Sequence, residues 1–204
     1  MRYLRLHPRL RAAFLGLLVA LLVPLGAARA GAADSEAVRE YVDEVTAVSI
    51  TVSLDSLVFA RERTDLAVNA RDYITLAPLE INRTGRRTLF WSGYLWSTID
   101  RRGREPVIAA DEQLVLIADG RPIALRQVSA SLRDQGVGQP PTPVPVRTAT
   151  PVLFEATPDE IAYVAHAREL RIAAVRNLES ESFALWKDRR RGLLDFVERL
   201  QLER

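Results

Sequence analysis

The chain has 204 residues, with 28 Lys and Arg against 26 Asp and Glu, two histidines and no cysteine. The missing thiol excludes disulfides, thiol nucleophiles and cysteine-ligated metal sites. With imidazole only at His7 and His166, a zinc site built from several histidines is excluded too.

The first thirty residues set the expected compartment. Arg2, Arg5, Arg9 and Arg11 precede an uncharged apolar run over 12–26 that Pro24 interrupts, and two overlapping A-x-A patterns follow at 28–30 and 30–32. A charged start, an apolar stretch and small residues are the order of a secretory signal peptide. A membrane-spanning helix needs about 20 apolar residues, more than this run supplies. No adjacent arginine pair precedes the run, which argues against a twin-arginine signal. The expectation is a Sec-type leader over 1–30, cut near Ala30 or Ala32, and a periplasmic or secreted protein that touches membrane only through the uncleaved leader. Such a protein folds away from cytoplasmic ATP and NAD, and no cofactor is expected.

Loss of Arg2, Arg5, Arg9, Arg11 and Arg29 leaves 23 bases against 26 acids. The basic isoelectric point of the whole chain, about 9.3, is therefore no nucleic-acid signal, and no nucleic-acid partner is expected. The remaining 31–204 segment is ample for one core and is read as a single exported, mostly-β domain.

In chain order, 35–45 is a short helix or an extended lead-in, undecided by pattern. Residues 46–54 alternate, with Val48, Ile50, Val52 and Leu54 opposite Ser49, Thr51 and Ser53, which predicts a half-buried strand. Residues 57–61 predict another. The clearest element is a hairpin over 72–100. Tyr73, Thr75, Ala77, Leu79 and Ile81 share a face, a turn falls at 82–86 with Gly85, and an aromatic return strand covers 88–99. Pro78 cannot donate to a ladder, which predicts an edge strand or a bulge there. Residues 101–104 predict a turn. Strands at 113–118 and 121–127 flank an Asp119-Gly120 hairpin turn. Gly136, Gly138, Pro140, Pro141, Pro143 and Pro145 make 134–146 a proline-rich loop.

A strand at 150–156 comes next. Thr157-Pro158-Asp159-Glu160 has the form of a capping box with proline at N1, opening a helix to about residue 167. Residues 170–175 and 182–186 predict a strand pair. A final amphipathic helix over 188–202 carries Leu193, Phe196, Val197 and Leu200 on one face. Together these elements predict an α+β protein, an antiparallel β-sandwich-like body with a capped short helix and a C-terminal amphipathic helix.

Candidate sites are few. After leader removal His166 is the one imidazole that could serve as base for a serine nucleophile, no G-x-S-x-G elbow is present, and a histidine at a helix C-terminus is explained by carbonyl and dipole contacts. No catalytic and no metal-ligating residue is assigned; no EF-hand-type loop occurs. Glu80, Asp100, Asp111 and Glu112 are the carboxylates from which an acid-pair hydrolase would have to draw. On the aromatic strand, Trp91, Gly93 and Leu95 share one face and Phe90, Ser92, Tyr94 and Trp96 the other. Burial on both faces of a central strand explains such a pattern. Exposure would instead make Phe90, Tyr94 and Trp96 a stacking platform, approached closely at Gly93. Arg101 and Arg102, with Arg104, form a basic turn read either as a phosphate or acidic-polymer contact or as solvated surface. Arg189, Arg190 and Arg191 oppose the dipole of the last helix, which predicts pairing with Asp188, Asp195 or a partner.

These features predict a non-enzymatic exported envelope protein, a binding or structural module for a protein or envelope component. The first alternative is a carbohydrate- or peptidoglycan-binding module using the aromatic platform. The second is a hydrolase relying on Asp and Glu alone.

Overall fold

The computed structural model describes residues 37–101, 105–177 and 179–202. The expected leader with its cleavage points, Arg102 and Arg104 lie outside the described residues. The strands are β1 (Val38–Asp43), β2 (Val48–Ser53), β3 (Leu57–Glu62), β4 (Arg71–Arg83), β5 (Arg86–Ser97), β6 (Gln113–Ala118), β7 (Arg121–Leu125), β8 (Thr150–Glu155), β9 (Leu170–Arg176) and β10 (Glu179–Lys187). The helices are α1 (Pro158–His166), between β8 and β9, and α2 (Arg190–Leu202) at the end.

The β4–β5 hairpin organises the rest. Thr84 and Gly85 have φ of +50° and +88°, the positive pair that a type I′ two-residue turn demands. Asn82 Oδ1 accepts the Gly85 N–H at 3.0 Å. The turn is thus tighter than the five residues read from composition, and the strands pair without interruption from Asp72↔Ser97 to Arg83↔Arg86.

β5 occupies one edge of β4 along its whole length. The other edge is divided: β3 pairs with residues 71–76 and β2 with 79–82. Pro78 falls in the gap between those two partners. The strand is therefore neither an edge nor bulged, as its proline predicted. It is central, and the residue that cannot donate stands where the neighbour changes. β1 extends the sheet beyond β2, so that residues 38–43 of the undecided segment form a strand.

From β3 the sheet continues through β10, β9, β6 and β7, while β8 pairs with β5 on the far side. It is an open, strongly curled sheet whose two ends approach each other. Just past β7, Gln127 bridges Phe154 of β8, Val128 N–H donates to Leu153 O at 2.8 Å and Glu155 N–H to Arg126 O at 3.0 Å. The β6–β7 turn is Asp119-Gly120, with φ of +46° and +80°. Asp119 Oδ1 accepts the N–H groups of Arg168 and Glu169 at 2.9 and 2.8 Å, tying this hairpin to the chain leaving α1.

The β4–β5 pair has apolar residues on both faces. Its inner face carries Ile74, Leu76 and Trp91 into the main core with Leu57, Phe59, Leu116, Phe154, Ile172 and Phe183. Both helices add to this core: Ile161, Val164 and Ala165 from α1, and Leu193, Phe196, Val197 and Leu200 from α2. α1 starts as read, with Thr157 Oγ1 accepting Glu160 N–H at 3.2 Å and Glu160 Oε2 accepting Thr157 N–H at 2.9 Å. At the start of α2, Arg190 folds back on Asp188, its Nε 2.8 Å from Oδ2, and Arg189 reaches Asp55 at 3.1 Å.

The outer face near the hairpin turn forms a second core from Val48, Ile50, Val52, Leu79, Ile81, Phe90 and Leu153, covered by Val137. Its roof is the strap that includes the glycine- and proline-rich loop. Thr46 Oγ1 donates to Gly136 O at 2.7 Å, Arg39 to Pro141 O at 3.0 Å and Gly138 N–H to Asp43 Oδ2 at 2.9 Å. The assembly is the α+β, sandwich-like body with two helices that the patterning predicts.

Two expectations test this arrangement. A Cβ on Gly93 would lie 1.7 Å from the Thr75 carbonyl oxygen. Gly93→Ala should therefore cost about 3 kcal/mol, the upper part of the overpacking range, in urea denaturation; an unchanged midpoint would contradict the register. The Gly138 N–H bond, together with those of Thr46 and Val45, lowers the Asp43 carboxyl below its ordinary value. A depressed acid stabilises above its unfolded pKa and loses that contribution as pH falls through the folded one. The Gly138 amide resonance should titrate below the free-aspartate value of about 3.9, and lose this step in Asp43→Asn. An inflection at or above that value would show that the strap is not anchored through this charge.

Candidate functional site

The aromatic strand divides between core and surface. Phe90 and Tyr94 are both 4% exposed. Phe90 belongs to the second core, and the Tyr94 hydroxyl donates to Thr142 O at 3.2 Å beneath the strap. Burial pushes the Tyr94 phenol above its ordinary pKa. An exposed platform of Phe90, Tyr94 and Trp96 is therefore absent, because the strap roofs two of its three members. Gly93 does admit a close approach, but by the Thr75 carbonyl rather than by a ligand.

Trp96 lies beyond that roof and is half-buried. Directly opposite Tyr73 in the ladder, it stacks on that ring with centroids 4.0 Å apart and planes 9° from parallel. The edge of Tyr73 meets Trp186 from β10, with centroids at 6.5 Å and an interplanar angle of 79°. Trp186 is 51% exposed. The Arg71 guanidinium lies 4.7 Å from its ring centroid, a cation–π contact worth about 0.5–1 kcal/mol at an exposed site. Glu62 accepts from Arg71 at 3.1 Å. β4, β5 and β10 thus bring Trp96, Tyr73, Trp186 and Arg71 into a row on the outer face, in which Tyr73 is buried between its neighbours, Trp96 half-buried and Trp186 half-exposed.

Trp186 carried a legible signal. Phe183 and Leu185 alternate with Ala184 and Trp186, which points the tryptophan to the face opposite Phe183, although the ladder with β3 is irregular between Leu185 and Lys187. Its meeting with Trp96 depends on the sheet order and is invisible in the sequence. Trp96 also lines a cleft of about 900 Å³ together with Leu95, Ile99, Val107, Leu125 and Phe154. Its buried indole N–H finds no acceptor among the described residues.

Arg101 is neither solvated surface nor an open anion contact. It turns inward to Asp72, which is fully buried. Asp72 Oδ2 also accepts from Arg61 at 3.2 Å and Arg63 at 3.1 Å. Arg61 pairs further with Glu181 and donates to Val107 O at 3.0 Å, while Arg63 grips Asp65 through Nε and Nη2 at 2.9 and 2.8 Å. That grip pulls Asp65 down to about 2. Three arginines thus face three carboxylates, Asp72, Asp65 and Glu181. The cluster is internally balanced and works as a polar plug at the lower end of the main core. Arg61 and Asp72 sit opposite one another in the β3–β4 ladder. Both share the inward parity of their apolar neighbours, the one clue in the sequence that these charges are buried.

The remaining candidates are held in structural contacts. Glu80 receives Arg87 through two bonds at 2.6 and 2.7 Å. Asp111 receives Arg176 at 2.8 Å, and Glu112 accepts Ala109 N–H at 2.6 Å; Asp100 is exposed. His166 Nδ1 lies 2.8 Å from Ala162 O in the last turn of α1, the backbone contact expected of a helix C-terminal histidine. Among the described residues no three His, Asp or Glu side chains gather in a way that would hold a metal ion, and no helix is long and apolar enough to cross a membrane.

Comparison with known protein families, curated proteins and solved structures finds no match for this chain.

The Asp72 cluster generates a direct expectation. Removing one partner of a buried ionic network costs about 3–5 kcal/mol because it strands the remaining charges. Asp72→Asn should lose stability in that range in denaturant unfolding, whereas Glu181→Gln, at an exposed position, should lose at most about 1 kcal/mol. Equal small losses would show that Asp72 does not hold the cluster.

Proposed function

We propose that this protein is a non-enzymatic exported binding module for an envelope component, and that its contact surface is the aromatic row of Trp96, Tyr73 and Trp186 with Arg71. The observation that carries this reading is Trp186. A half-exposed tryptophan is held in a fixed orientation by Tyr73 and Arg71 at an uncovered part of the sheet. A rigid aromatic surface with little side-chain freedom left to lose is suited to recognition. Export rests on the leader pattern of residues 1–30.

A saccharide partner is a second reading. Indole, guanidinium and carboxylate stand together at Trp186, Arg71 and Glu62, and these groups offer stacking and hydrogen bonding to a sugar ring. The acid-pair hydrolase draws less support, since Glu80, Asp111 and Glu112 are each engaged in local bonds.

Trp186→Ala should remain folded, with a thermal midpoint within a few degrees of the parent protein. Its retention on an envelope fraction should fall at least tenfold. Loss of retention on purified peptidoglycan would identify a saccharide, and loss of a cross-linked protein band with glycan retention unchanged would identify a protein partner. Undiminished retention by a folded Trp186→Ala variant would refute the assigned surface.

A further inference from the structure

The opposite end of the β4–β5 hairpin carries a different surface. Ten residue steps along β4 separate the Tyr73↔Trp96 rung from Arg83↔Arg86, about 33 Å at 3.3 Å per residue. A cleft of about 850 Å³ wraps the hairpin turn there. Its walls hold four guanidiniums, Arg83, Arg86, Arg87 and Arg126, against two carboxylates, Glu80 and Glu155. Arg87 is engaged with Glu80 at 2.6 and 2.7 Å and Arg126 with Glu155 at 3.2 Å. Arg83 and Arg86 are exposed, and their guanidiniums make no hydrogen bond or ion pair among the described residues.

These two unpaired cations are also badly placed for each other. They close the ladder as directly opposed residues on its outer face. Opposed like charges in a sheet, with Cβ atoms about 5 Å apart, are destabilising. The Arg83 guanidinium extends over the strap, where a Cβ on Gly136 would meet its Nη2 at 2.9 Å. The N-terminus of α1 borders the same cleft through Thr157 and Pro158, but its capping box already uses the Glu160 N–H. Recognition in this cleft therefore falls to guanidiniums, whose planar forks match the oxygens of phosphate.

We propose that this cleft binds a phosphate-bearing group, with Arg83 and Arg86 as its ligands and the neutral Arg87–Glu80 and Arg126–Glu155 pairs forming its walls. The site is separate from the aromatic row and stands whether or not that surface binds a partner. A bound phosphate would sit between the opposed arginines and turn their repulsion into two charge-assisted pairs.

The test uses inorganic pyrophosphate in titration calorimetry at low ionic strength, and flotation with phosphatidylcholine vesicles containing phosphatidylglycerol. The variants are Arg83→Gln/Arg86→Gln and a charge-matched control, Arg147→Gln/Arg168→Gln, outside the cleft. Saturable pyrophosphate binding that weakens at least tenfold in the first variant and not in the control supports the site with a free phosphate group as ligand. Vesicle flotation alone, lost in the same selective way, supports it with a lipid headgroup as the source. No binding in either arm, or equal losses in both variants, overturns the proposal. Without ligand and at low salt, Arg83→Gln/Arg86→Gln should melt no lower than the parent protein, because it removes a repulsive pair. If that double variant unfolds, Arg86→Gln alone provides the same readout, with at least a threefold loss expected and an unchanged affinity overturning the site.

Discussion

β4 is buried along almost its entire length, and the rest of the molecule is arranged to bury it. One edge is satisfied by a single long partner, β5. The other is shared by β2 and β3, with a proline at the change of partner. Backbone groups removed from water must find partners, so a thirteen-residue central strand needs neighbours along both edges. Gly93 lets the hairpin close tightly enough for Tyr94 N–H to reach Thr75 Oγ1 at 2.9 Å. Near the turn, helices and strap then cover opposite faces of the sheet. Farther from the turn the curled sheet covers only the inner face, and the outer face remains available.

That asymmetry gives the protein two dissimilar surfaces on one rigid hairpin. The lower outer face holds Trp96, Tyr73 and Trp186, locked by mutual ring contacts. The turn end holds Arg83 and Arg86, which have no counter-charge among the described residues. The first surface combines Tyr73 and Trp96 from paired strands with Trp186 at a register irregularity of β10, and the second lies on the last rung of the hairpin. Several other arginines are held in internal ion pairs. Asp72, Asp65 and Glu181 absorb Arg61, Arg63 and Arg101, and Asp111 absorbs Arg176. What distinguishes Arg83 and Arg86 is their direct opposition in the ladder beside a cleft.

Local chemistry was well marked in the sequence. Alternation located β2, the Asp119-Gly120 turn located β6 and β7, the Thr157–Glu160 box located the start of α1, and the Leu193–Leu200 spacing located the buried face of α2. The faces of β5 were legible as well, since Phe90 and Tyr94 do lie opposite Trp91. Which of those faces meets solvent was not legible. Tyr94 is covered by Thr142, 48 residues away, and a proline-rich stretch has no periodicity to announce what it will roof. Arg101 read as a surface turn because its partner Asp72 lies 29 residues earlier, beyond the reach of any local rule.

The sequence by itself determined the run of short strands, their turns, the two amphipathic helices and the exclusion of cysteine chemistry. Each of these follows from side-chain period, backbone preference or composition within a few neighbouring residues. Only the tertiary structure decided that β4 is central, that the strap buries two of the three candidate platform residues, and that Trp186 completes an aromatic row with Trp96. Those outcomes depend on which strands pair and where the sheet curls. Pairing of distant segments is set by the combined burial of the whole chain, a quantity that no single stretch of residues carries.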